Sequence, residues 1–89
     1  MNEQYIIDKM NETVSEIRNE YNTEYDEPSY LLTHLINLEC LASKYFAFME
    51  ILIDNTDVDV YDAEYEKNKA LFEAVATRID NVRKVLNVD

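Results

Sequence analysis

Apolar residues recur through the first quarter of the chain at Ile7, Met10, Val14, Ile17 and Tyr21, spaced 3, 4, 3 and 4. That spacing keeps them on one side of an α-helix, with Ile6 widening the stripe at its start, and predicts a first helix over about residues 3–23. The stretch Asn22 to Ser29 interrupts the pattern. Pro28 disfavours helical geometry at Glu27 and suits the first turn of a new helix, so Asp26 or Glu27 is the expected cap.

A second helix is predicted over about residues 28–53. Leu31, Leu35, Leu38, Ala42, Tyr45, Met49 and Leu52 repeat at 4, 3, 4, 3, 4 and 3. A further apolar set, Leu32, Ile36, Leu41, Phe46, Phe48 and Ile53, covers much of the remaining circumference. A helix apolar over most of its surface belongs in the middle, between two others or between partners. After the break Asp54 to Asp59, where Asp57 or Asp59 is the expected cap, Tyr61, Tyr65, Phe72, Val75, Ile79, Val82 and Leu86 mark a third helix over about residues 59–87. Asn68 is its one polar seam position. The expected fold is all-α: three long antiparallel helices in an up-down-up bundle, one domain over residues 1–89. Dimerisation into a larger bundle is the further possibility that the oily second helix raises.

Composition points the same way. The 89 residues include no Gly and a single Pro, whereas the tight hairpins of a small sheet protein need residues that adopt positive φ. Nineteen acids against 8 bases give a net charge of −11. That charge disfavours direct binding of nucleic acid or an anionic membrane, since both rely on Lys and Arg. The imbalance is local: residues 1–30 carry 8 acids and 2 bases, residues 54–66 carry 6 and none, and residues 67–89 carry 3 and 5. Arg78, Arg83 and Lys84, near the end of the third helix, are expected to screen Glu20, Glu24, Asp26 and Glu27 at the first joint. The opening MNEQYIIDKM has neither the basic region nor the apolar run of a secretory signal, so a cytoplasmic location is expected. Cys40 has no partner for a disulfide, and Leu38 and Leu41 beside it suggest a buried thiol.

Candidate chemistry is sparse. Cys40 and the single histidine, His34, are six residues apart on one helix, about 240° around its axis, so they do not share a face. Glu-x-x-His pairs for a di-iron bundle are absent. A calcium loop starting at Asp57 would place Tyr61 at its fifth position, Asp62 where Gly is required and Asn68 at its twelfth. Neither a catalytic group, a metal nor a cofactor is expected, and the chain is read as a non-enzyme.

One pattern remains. Asp8, Glu12, Glu16, Glu20 and Glu24 fall at every fourth position, about 6 Å apart along a helix. Like charges at that spacing oppose helix formation by roughly 0.2–0.5 kcal/mol per pair, and only Lys9 is placed to relieve them. A stiff row of carboxylates with steps of the same order as backbone phosphates suggests a DNA-mimic-like surface presented to a basic, nucleic-acid-binding protein. Tyr25, Asp26, Glu27 and Tyr30 extend that candidate surface at the first joint; Tyr21, Tyr45, Tyr61 and Tyr65 lie on seams and are read as core caps. In charge and size alone, the chain resembles the small acidic inhibitors that phages and mobile elements direct against restriction, CRISPR or repair enzymes. That resemblance implies a viral protein acting in the host cytoplasm. The alternative is a homo-oligomeric structural, assembly or adaptor protein joined through the second helix.

Overall fold

The computed structural model describes residues 2–24 and 27–87, and within them every regular element is an α-helix. Helix α1 spans Glu3–Tyr21, α2 spans Pro28–Asn55 and α3 spans Val58–Leu86. Each expected boundary lies within two residues of the observed one.

The helix ends show which side chains set those boundaries. Asn2 precedes α1 in extended geometry, and its Oδ1 accepts the Gln4 N–H at 2.7 Å and the Tyr5 N–H at 3.4 Å. Two of the four unpaired amides of the first turn are thereby satisfied. Pro28 opens α2 behind Glu27, which holds the cap position without a side-chain cap bond; Asp57 does the same for α3. At the end of α2, Asn55 Nδ2 donates to the Ile51 carbonyl and the Thr56 hydroxyl to the Leu52 carbonyl. In a chain without Gly, Asn87 takes the left-handed position that closes α3, at φ 60° and ψ 41°. Asn tolerates that geometry better than most residues because its short polar side chain bonds locally.

The pairings Glu16–Lys44 and Glu20–His34 run α1 antiparallel to α2, and Tyr45–Asn68 and Glu39–Arg83 run α2 antiparallel to α3. Asn11–Lys67 and Tyr21–Arg78 place α1 and α3 side by side in the same direction. The bundle is therefore up-down-up. Its long dimension of 43 Å matches the length of a 29-residue helix, about 43 Å at 1.5 Å per residue.

Helix α2 packs on both neighbours, while α1 and α3 meet only sparsely. The core takes Ile6, Met10, Val14 and Ile17 from α1, Leu38, Tyr45, Met49 and Leu52 from α2, and Val75 from α3. Phe72 joins it through Tyr45, with ring centroids 4.4 Å apart. Leu32, Ile36, Phe46 and Ile53 of the second apolar set stay 43–51% exposed, so α2 carries more apolar surface than its two neighbours cover.

Three expectations change. Tyr65, expected to cap the core, is 40% exposed, whereas Tyr21, Tyr45 and Tyr61 pack on it. Cys40 is exposed, because it lies two residues, about 200°, beyond the fully buried Leu38. Among the described residues, Arg83 and Lys84 bond to Glu39 and Asp80 rather than to acids of the first joint.

Candidate functional site

The carboxylate row divides. Asp8, Glu12 and Glu16 stand exposed along α1. Asp8 accepts from Gln4 Nε2 at 2.8 Å, Glu12 pairs with Lys9 at 3.2 Å, and Glu16 reaches Lys44 of α2 at 3.6 Å. The Glu12 carboxylate, through its hydrogen bond and its charge, raises the Lys9 ammonium above its ordinary value; Lys9 also sits 5.5 Å from the centre of the Tyr5 ring. Pairs this exposed are worth little stability.

Glu20 leaves the row. Its side chain is mostly covered, with Oε2 2.9 Å from His34 Nδ1 and Oε1 accepting Asn37 Nδ2 at 2.6 Å. Glu24 is exposed and falls beyond the end of α1, so it continues no helical ribbon. Glu27 is exposed at the α2 cap and Tyr30 is 52% exposed on its first turn. Tyr25 and Asp26 lie outside the described residues. A ribbon of five becomes a row of three.

The drift of the row explains the turn inward. A four-residue step overshoots one helical turn by about 40°, so Glu20 is rotated roughly 120° from Asp8. That rotation carries it to the edge of the stripe that buries Ile6, Met10, Thr13 and Ile17.

Around Glu20 a polar junction ties all three helices. His34 is buried at 1% exposure, and its Nε2 lies 3.3 Å from Arg78 Nη1. A guanidinium only donates, so Nε2 is the acceptor and Nδ1 carries the proton that it donates to Glu20. The same Arg78 Nη1 donates to the Tyr21 carbonyl at 3.1 Å, and its guanidinium carbon lies 4.2 Å from the centre of the Tyr21 ring. That carbonyl belongs to the last turn of α1, where cations are favoured. The spacing of His34 from Cys40 says nothing of these partners, which come from α1 and α3. The signal for burial is its place in the series His34, Leu38, Leu41, Tyr45, spaced 4, 3 and 4 along the inner side of α2.

A second buried polar contact lies near the middle of the bundle. Asn68 donates to the Tyr45 hydroxyl at 3.0 Å and to the Glu64 carbonyl at 3.2 Å. Burial pushes the Tyr45 phenol above its ordinary value; the Asn68 bond opposes that push, and the charge of nearby Glu64 adds to it. Glu64 Oε2 makes no hydrogen bond among the described residues, but lies 3.7 Å from Lys67 Nζ. Lys67 also donates to Asn11 Oδ1.

Acids also gather at the end where α1 begins and α2 meets α3. Glu3, Asp54 and Asp57 flank a shallow depression there, with Asp59 and Asp62 on the next turns of α3. No Lys or Arg occurs between residues 54 and 66. Among the described residues no group of three or more His, Cys, Asp or Glu side chains is placed to hold a metal ion. None of the helices, over the same residues, is long and apolar enough to cross a membrane. No protein-family model matches the chain, and neither a curated protein nor a solved structure matches it.

Proposed function

We propose that this chain is a non-enzymatic, acidic protein-binding module that presents carboxylates to a basic surface on a nucleic-acid-processing protein. The observation that carries the reading is the distribution of charge on the rigid bundle. Asp8, Glu12 and Glu16 project from one side of α1, and Glu3, Asp54, Asp57, Asp59 and Asp62 crowd one end without a base among them. Helices hold these charges in place before association, which lowers the ordering cost of binding. A field of one sign also speeds encounter with a basic partner and weakens as salt is added. The phage-type inhibitor, aimed at a restriction, CRISPR or repair enzyme in the host cytoplasm, is the form of this reading that the size and charge of the chain suit.

The test uses the whole chain as bait in host lysate, with the captured proteins identified and then challenged with duplex DNA. The proposal expects a nucleic-acid enzyme that duplex DNA displaces, and loss of capture when Asp8, Glu12 and Glu16 are reversed to Lys with helicity retained. Capture that survives both the DNA challenge and the triple reversal overturns it.

A further inference from the structure

We propose that the outer face of α2, with the adjoining edge of α3, docks a second copy of this chain in an antiparallel, two-fold symmetric dimer. Leu32, Ile36, Phe46 and Ile53 are 48, 51, 44 and 43% exposed, and Tyr65 on α3 is 40% exposed. Phe46 packs against Phe72 of α3 with ring centroids 5.1 Å apart and the rings tilted by 50°, and Tyr65 lies one heptad before Phe72, so the face runs across both helices.

The sequence of this face fits its own reverse. Positions 32, 36, 39, 43, 46, 50 and 53 are spaced 4, 3, 4, 3, 4 and 3, an outer seam distinct from the one that builds the core. Laid antiparallel on a second copy, Leu32 faces Ile53, Ile36 faces Glu50, Glu39 faces Phe46, and Ser43 meets its own equivalent on the axis. Both charged members that would be covered have compensation. Glu39 is already bonded to Arg83 of its own chain. Glu50 comes to the end of the second copy where Arg83 and Lys84 lie.

Charge fixes the direction. The Ile53 end of the face carries Glu50, Asp54 and Asp57, and the stretch 54–66 beside it holds no base; the Leu32 end carries Glu24 and Glu27 of the first joint but also Arg83 and Lys84 near the end of α3. An antiparallel dimer sets the base-free end of one copy against the end of the other that holds Arg83 and Lys84. A parallel one would stack the acid-only stretch 54–66 on its own copy, a like-charge juxtaposition that disfavours association.

Size is adequate. Leu32 to Ile53 spans about 32 Å of helix, and two packed helices are roughly 20 Å wide. The product, on the order of 600 Å² in projection, reaches the area per partner at which specific interfaces begin.

Sedimentation of the full chain from micromolar to several hundred micromolar, with single-cysteine crosslinking, tests the proposal. The expected result is a dimer whose dissociation constant rises roughly 30-fold or more with Ile36→Glu, while helicity is unchanged. In a Cys40→Ser background, a short bismaleimide is expected to join Ser43→Cys to itself. It is also expected to join Leu32→Cys to Ile53→Cys in a mixture, but not Leu32→Cys to itself. A monomer throughout, a dimer indifferent to Ile36→Glu, or efficient self-linking of Leu32→Cys overturns the proposal. A different protein seated on this face of a monomeric chain overturns it as well. These variants keep Asp8, Glu12 and Glu16, so the outcome is independent of the carboxylate reading above.

Discussion

His34 Nδ1 and Glu20 Oε2 lie 2.9 Å apart, joining α2 to α1 beside the first joint. Arg78 of α3 closes on the other ring nitrogen of the same histidine. The contact converts one carboxylate of a repulsive row into an acceptor for two donors of α2, His34 and Asn37.

Replacing Glu20 with Ala takes that acceptor from both donors in a largely covered setting. A loss of about 2–3 kcal/mol is expected, read as a lower midpoint in urea unfolding. Glu12→Ala, on the exposed part of the same row, is expected within about 0.5 kcal/mol of the parent. Equal losses for the two variants would show that the junction contributes no more than a surface contact.

Tyr45 links stability to alkaline pH. In the unfolded chain its phenol ionises near the ordinary value of 10.0, whereas burial raises it in the fold. Between those two values the folded state binds more protons, so stability is untouched by this group below about pH 10 and falls as pH rises beyond it. Tyr45→Phe gives up the Asn68 hydrogen bond, for a loss of about 1 kcal/mol at neutral pH, and should flatten the alkaline decline. The difference between the two stability-against-pH curves measures the effect, free of the other tyrosines common to both.

Asn2 caps α1 through two backbone amides. Asn2→Ala is expected to cost about 1 kcal/mol and to lower the helicity of the first turns, while Asn2→Asp retains most of the stability. Amide hydrogen exchange at Gln4 and Tyr5 reports the change where it occurs.

The Cys40 thiol is exposed on α2. In the folded chain at low concentration, one thiol per chain is expected to react with a disulfide reagent at a rate close to that in denaturant. Protection by more than about tenfold would mean that this side of α2 is covered.

Much of this molecule was written in local spacing. The seams through Met10 to Ile17, Leu35 to Leu52 and Val75 to Val82 identified three helices and most of the core, because a 3.6-residue repeat is a property of each segment alone. The central place of α2 followed equally from its lack of a polar side. Ile6 and Ile7 are adjacent and both apolar, but Ile6 is the one in line with Met10, Thr13 and Ile17, at spacings of 4, 3 and 4, and it is fully buried while Ile7 is partly covered.

What the sequence by itself determined is thus the three helices, their order, the oily middle one and the excess of carboxylates. Tertiary structure alone decided which polar side chains turn inward. Glu16 and Glu20 are the same residue type one step apart in one row, yet one stays half-exposed beside Lys44 and the other closes on His34 and Asn37. Cys40 faces outward although its neighbour in sequence, Leu41, packs against the core. Periodicity fixes angles about each helix axis, but the depth of a side chain depends on where the next helix lies, and that is set by packing among residues far apart in the chain.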